Sequence, residues 1–176
     1  MKKIFYLLII SASIGIFGAC NKKNDDIEAW QEANTNAYEA ITKNPEYKAL
    51  HTSTGPEGVY YKVIKSGTGI ESPIQTSKVK VLYKGTYYDG SVFDAGSSGN
   101  NIPVEFTTGS TVRGFSFALQ NMVVGDKWEI WIPYYLGYGA AGYTVSDYYS
   151  YSYQTIIKGY TTLVFEVELV SITQYP

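Results

Sequence analysis

Val79–Asp94, VKVLYKGTYYDGSVFD, is the stretch on which the fold of this chain turns. From Lys78 to Lys84 polar and apolar residues alternate, the two-residue period of an antiparallel strand with one face buried and the other in solvent. Tyr88-Asp89-Gly90 then supplies a turn. Beyond it Phe93 stands directly before Asp94. A ring and an acid just past a turn have no chemical meaning by themselves: most such pairs are a core aromatic beside a solvated carboxylate. Their meaning depends on what the rest of the chain brings to them.

The bulk numbers narrow that search. A chain of 176 residues suffices for one domain with a full core plus a modest extension. Apolar residues at 45% and charged residues at 17% are ordinary for a globular protein. The formal charge is −2, and no basic cluster exceeds a short Lys pair, so nucleic-acid binding has no electrostatic footprint. One Cys excludes an internal disulfide, and one His excludes a multi-His metal cage. No cofactor and no metal site is expected. Tyrosine is the outlier, with 18 residues against 2 Met. Its apolar body and polar tip suit both half-buried strands and contact surfaces.

Residues 1–19 read as an address. Lys2 and Lys3 open a basic start, an apolar run extends from Ile4 to Phe17, and Gly18-Ala19 precede Cys20. That run falls short of the roughly 20 residues a spanning helix needs and fits a signal peptide. Phe17-Gly18-Ala19-Cys20 resembles the bacterial lipobox, with Phe17 where Leu is usual. The resemblance implies cleavage before Cys20 and its lipidation, hence a membrane anchor. Asn21 after the Cys favours the outer membrane, facing periplasm or cell surface. Cleavage would remove Lys2 and Lys3 and no acid, leaving 12 basic against 16 acidic residues.

Residues 20–27 are polar and short, a tether. Residues 28–50 carry Trp30, Ala33 or Asn34, Ala37, Tyr38 and Ile41 at three- and four-residue steps, which predicts a helical extension with Asp25 or Asp26 as its cap. Pro45 ends or restarts it. Residues 51–176 are expected to form the main domain, entered through a linker at 51–57. Strands are predicted at 59–65, 78–84, 127–132 and 161–172, and the single helical candidate runs from Gly114 to Met122, with Phe117, Ala118 and Met122 on one face. Gly67-Thr68-Gly69 marks a turn or bulge; no helix opens after it, so a phosphate-loop reading fails. Several strands around one helix indicate an α+β domain. Pattern alone does not separate this from a small β-sandwich.

The partners of Phe93-Asp94 make that separation. Val112-Arg113-Gly114-Phe115, Ile132-Pro133, Tyr138-Gly139 and the run Leu163–Leu169, LVFEVEL, follow in order. The series resembles the FKBP-type peptidyl-prolyl cis-trans isomerases, in a bacterial lipoprotein form. The resemblance implies an FKBP-like twisted antiparallel β-sheet wrapped around a short central helix, with the N-terminal helix as an addition. Longer N-terminal helices dimerise some family members; this one is too short for that.

It also implies a function: peptidyl-prolyl isomerisation assisting protein folding outside the cytoplasm. An X-Pro bond rotates over a barrier of ~20 kcal/mol. Lowering that barrier needs no nucleophile and no metal, only better binding of the twisted amide than of either planar form. Carried onto this chain, Tyr83, Phe93 and Phe165 are the walls of a proline pocket and Val112 and Phe115 its floor. The Val112 N–H and the Tyr138 hydroxyl donate to substrate carbonyls, and Asp94 stands at the edge as the acid. Ile156 and Ile157 match the overhanging loop, and Val104 a rim position. Expected partners are prolyl segments of unfolded or folding proteins, and a macrolide ligand of the FK506/rapamycin type. Phe115 replaces the usual Trp, Arg113 a frequent Pro, and Lys158-Gly159 a frequent Pro-Pro. The loop 143–157 is long and holds Tyr143, Tyr148, Tyr149, Tyr151 and Tyr153. Those departures motivate the alternative of a non-catalytic chaperone or peptide-binding module of the same fold. Carbohydrate binding through exposed Tyr lacks a motif.

Overall fold

The structure, a computed structural model, describes residues 19–52, 55–97, 100–147 and 152–174. Three of its strands carry the core by alternation, which only the start of β9 (Leu163–Gln174) breaks, where Val164 is buried as well. On β6 (Lys127–Ile132) Trp128, Ile130 and Ile132 point inward, while Lys127, Glu129 and Trp131 stay partly accessible. Val79 and Val81 do the same on β3 (Lys78–Thr86), and Leu163, Phe165, Val167 and Leu169 on β9. Each fully buried aliphatic side chain of this kind contributes about 1.5–3 kcal/mol.

The antiparallel sheet runs β1 (Lys48–Thr52), β2 (Gly55–Lys65), β6, β9, β3, β4 (Val92–Asp94). β5 (Val104–Thr107) shares the outer edge of β3 with β4: β5 pairs with Lys78–Val81, and β4 pairs with Gly85 and Thr86. A separate two-stranded ribbon, β7 (Tyr143–Asp147) and β8 (Ser152–Ile157), stands off this sheet. Helix α2 (Arg113–Leu119) covers one face, burying Phe115, Ala118 and Leu119, with Met122 buried just beyond its end. Phe117, expected on the inner face, is only partly buried, because Phe115 and Leu119 take the stripe four residues apart that meets the sheet. The α+β class and a twisted antiparallel sheet around a short helix are the architecture that the resemblance implies.

The N-terminal segment differs from its expected boundaries. α1 spans Ala19–Thr42, so the stretch 20–27 continues the helix, and neither Asp25 nor Asp26 caps its start. Extending a formed helix costs far less than nucleating one, which lets the helix run back through polar residues. At the other end Pro45 prevents continuation, and the Asn44 side chain accepts the Glu46 N–H at 3.0 Å to turn the chain. Residues 48–50, expected in the helix, pair instead with β2, where Leu50 is buried opposite Val59. The signal-peptide reading of 1–19 falls, except for Ala19, outside the described residues.

One face of α1 lies on the domain. Asn34, 1% exposed, accepts the Thr162 N–H on Oδ1 at 2.9 Å, and its carbonyl accepts the Thr162 hydroxyl at 3.2 Å. The Tyr38 hydroxyl donates to the Gly58 carbonyl. Gly67-Thr68-Gly69, expected as a turn or bulge, is an irregular stretch closely apposed to 124–126: the Gly67 N–H donates to Asp126 Oδ1 at 2.7 Å and the Gly69 N–H to the Val124 carbonyl at 3.0 Å.

Candidate functional site

Six structural segments converge on one cavity of about 380 Å³. Tyr83 comes from the middle of β3 and Phe165 from the facing part of β9, where Gly85 pairs with Phe165 and Tyr83 with Val167. Phe106 comes from β5, and Asp94 from the end of β4. The turn Ser110–Val112 and Phe115 in the first turn of α2 close the base, and Tyr138 enters from the loop after the 3-10 turn Tyr134–Leu136.

The aromatic rings meet edge to face. Phe115 and Phe165 have centroids 4.9 Å apart, Tyr83 lies 6.2 Å from Phe115 and 6.3 Å from Phe165, and Phe106 is 5.6 Å from Tyr83. Tilted and T-shaped pairs at these separations are favoured by the ring quadrupole and hold a concave wall without collapse. Phe115 is 3% and Phe165 7% exposed, so both serve the core and the cavity together.

Among the described residues, Asp94 is the one charged residue lining this space. Its Oδ2 accepts the Tyr83 hydroxyl at 2.9 Å, and its Oδ1 accepts the Gly96 N–H at 2.9 Å. Gly96 takes a positive φ of 48°, and a Cβ there would lie 2.4 Å from the Tyr83 carbonyl oxygen, so the turn that holds Asp94 needs glycine. Burial, and then the bond to Asp94, pushes the Tyr83 phenol well above its ordinary value. Tyr138 is raised too, first by burial and then by Tyr143 and Asp94. Both phenols are therefore donors at neutral pH. Among the described residues neither the Tyr138 hydroxyl nor the Val112 N–H has a hydrogen-bond partner, although the Val112 carbonyl accepts from Ser116 at 3.0 Å.

Tyr83, Asp94, Val112, Phe115, Tyr138 and Phe165 are thus brought together. Four other residues of the expected set do not line the cavity. Phe93 stands behind the wall, its ring 5.5 Å from Phe165 and 5.3 Å from Tyr87. Val104 pairs with Val81, and the same-face residue two positions on, Phe106, reaches the opening instead. On β8 alternation sends Ile157, 2% exposed, into the core, while Ile156 faces solvent. Phe106, Ser110 and Thr111 escaped the sequence reading. Phe106 was available from the alternation of β5; the two polar residues carry no local signal.

The long loop is the β7–β8 ribbon, and Tyr143 at its base stacks on Tyr138 at 5.2 Å and 27°. Tyr148, Tyr149 and Tyr151, and the side chain of Tyr153, lie outside the described residues, as does the side chain of Cys20.

Comparison with known proteins places this geometry in a family. The family model described as "FKBP-type peptidyl-prolyl cis-trans isomerase" matches residues 69–170, more than half of the chain. The protein belongs to the FKBP-type peptidyl-prolyl cis-trans isomerase family. Over 115 residues it is 40% identical to the FKBP-type 22 kDa peptidyl-prolyl cis-trans isomerase of Escherichia coli, covering 65% of this chain and 50% of that protein. It is 34% identical over 117 residues to the outer membrane protein MIP of Legionella longbeachae, covering 66% and 45%. The chain thus spans about half the length of such relatives. Among solved structures, FkpA from Escherichia coli superimposes with a TM-score of 0.71 at 31% identity, over 90% of this chain and 66% of that one. A peptidyl-prolyl cis-trans isomerase from Pseudomonas syringae gives 0.67 at 31%, over 84% and 96%.

Proposed function

We propose that this cavity binds a proline side chain and catalyses cis-trans isomerisation of the preceding peptide bond. The observation that carries the reading is an aromatic cavity whose one carboxylate among the described residues, Asp94, is held by the Tyr83 phenol, while the Tyr138 hydroxyl and Val112 N–H have no described partner. Twisting the X-Pro amide removes its resonance and makes it less polar, so an apolar enclosure favours the twisted form over both planar ones. Val112 and Tyr138 supply donors for the flanking carbonyls; fixed donors of this kind cost no reorganisation during the step. Asp94 faces the amide with its charge already engaged. Phe93 acts behind Phe165 as a buttress.

The proposal extends to location and partners. Residues 1–19 are a lipoprotein signal, Cys20 is the lipidated N-terminus, and the domain works from the outer membrane on prolyl segments of folding proteins. The sequence of the leader and an outer membrane relative support an envelope location. A macrolide of the FK506/rapamycin type would fill the same cavity.

A protease-free cis-trans assay on a prolyl tetrapeptide tests the activity. The wild-type chain is expected to exceed the uncatalysed rate, with Asp94→Val and Phe115→Ala strongly impaired. A wild-type rate at background, or one that Asp94→Val leaves unchanged, would reject the reading. Mass spectrometry of the membrane-extracted protein tests the anchor through the mass of Cys20.

A further inference from the structure

Trp30, on α1, packs against two segments that lead towards the cavity, the chain just past β3 and the turn between β8 and β9. Its ring packs against Tyr87 at 5.8 Å and 79°, and against Tyr88 at 5.9 Å. Its Nε1–H donates to Thr161 Oγ1 at 3.2 Å, and the Lys158 ammonium sits 4.9 Å from its ring. We propose that Trp30 is a positioning residue for the isomerase site, holding the Phe93–Phe165 wall and the Tyr138 loop in fixed relation. The proposal rests on the isomerase reading above.

Two arms lead from this indole to the cavity. The first is made of rings: Trp30 meets Tyr87, Tyr87 meets Phe93 at 5.3 Å, and Phe93 meets Phe165 at 5.5 Å, which lines the cavity. The second runs through backbone. Trp30 and Lys158 clamp the turn between β8 and β9, and in that turn the Tyr160 N–H donates to the Gly139 carbonyl at 3.0 Å, next to Tyr138. Tyr160 holds a φ of +61°, a conformation costly for a bulky residue that persists only when its surroundings enforce it. The arms also join each other, because the Tyr87 hydroxyl donates to the Ile156 carbonyl at 3.2 Å.

The placement of Trp30 is determined by its neighbours on α1. Asn34 and Tyr38 follow at intervals of four and so share its face, and both are bonded to the domain backbone. Trp30 lies outside the hydrophobic core, so its removal leaves the sheet and α2 packed. What it removes is the common anchor of the ring path that ends at Phe165 and of the turn that is hydrogen-bonded to the Tyr138 loop. Catalysis by positioning is sensitive to shifts well under the size of a side chain.

The test uses the full chain and the protease-free assay with Trp30→Ala, Trp30→Phe and Tyr38→Phe. Trp30→Ala is expected to lower kcat/KM about fivefold to tenfold. Trp30→Phe restores at least half of that loss on a logarithmic scale, and Tyr38→Phe, which loosens the same helix elsewhere, stays within about twofold. In spectra of isotope-labelled Phe, the Phe93 and Phe165 signals move in Trp30→Ala and not in Tyr38→Phe. An active wild type with an indifferent Trp30→Ala overturns the proposal alone, as does a rate that falls in step with thermal stability in both helix variants. A wild type without turnover overturns the isomerase reading and this proposal with it. Should Trp30→Ala fail to fold, a double-mutant cycle between Trp30→Phe and Tyr87→Leu decides: coupled effects on kcat/KM support the ring path, and additive ones reject it.

Discussion

The Tyr83 hydroxyl donates a hydrogen bond of 2.9 Å to Oδ2 of Asp94, tying the strand that forms one pocket wall to the acid at its edge. Tyr83→Phe removes this bond and keeps the ring. It should cost about 1 kcal/mol of stability, the usual net worth of one hydrogen bond. It should also lower kcat/KM roughly threefold to tenfold, because Asp94 loses one of its two described donors. Urea unfolding and the isomerisation assay check the two numbers on the same preparation. A stability loss with unchanged activity would show that the bond is architectural only.

Gly85 is the point where the wall ring Phe165 and the ring behind it, Phe93, share one backbone position. A Cβ there would lie 2.6 Å from Phe93 Cζ and 2.9 Å from Phe165 Cε1. Neither ring can step aside without displacing the other. Gly85→Ala should therefore destabilise the domain by about 1–3 kcal/mol, the range for overpacking a close-packed site. The same shift opens the Phe93–Phe165 contact, so activity falls further than Tyr83→Phe makes it fall. Thermal unfolding and prolyl-peptide turnover measure both.

Phe106 and Phe115 should separate binding from folding. Phe115 belongs to the core and Phe106 is only partly buried beside it. Phe115→Ala should cost about 3–5 kcal/mol and endanger the fold. Phe106→Ala should cost under about 2 kcal/mol and act mainly by raising KM, since it removes a rim ring that contacts ligand in the ground and transition states alike. An unchanged KM would remove Phe106 from the site.

The phenols predict a pH dependence. Tyr83, Tyr138 and Tyr38 all hold their protons above the ordinary phenol value of 10.0, with burial the largest cause in each, and Tyr47 is pushed up to about 12 by burial and by its bond to Glu129. A folded value above the unfolded one means that the folded chain binds the proton more tightly. The stability so contributed is complete below pH about 10 and is lost as the pH climbs through the raised values. The phenols should therefore leave urea midpoints untouched up to pH about 9 and pull them down above 10. Phenolate absorbance should appear later in the folded chain than in urea. A loss of turnover below pH about 9 that traces to a phenol would count against Tyr138 as the donor.

The sheet was legible because burial follows a period of two. Lys78–Lys84 and Lys127–Ile132 alternate, and a slip of one residue would turn every core side chain to solvent. The site was legible in part, because Asp94, Tyr138 and Phe115 stand in recognisable local strings. Val104 and Ile157 were misplaced for different reasons: on β5 the same-face residue Phe106 reaches the opening, and on β8 alternation turns Ile157 into the core. β1 was hidden because Lys48-Ala49-Leu50 is as good a helix as a strand until β2 lies beside it.

Local pattern therefore settles which residues of β3, β6 and β9 enter the core, where Pro45 stops α1 and where the turn at Asp89-Gly90 falls, since each depends on neighbours a few positions away. The cavity and the seat of α1 depend on contacts that no local period encodes. Trp30 meets Thr161 across 131 positions, and Asn34 meets Thr162 across 128. Such contacts exist only once loop-closure entropy has been offset by the packed core, which is why tertiary structure alone decides them.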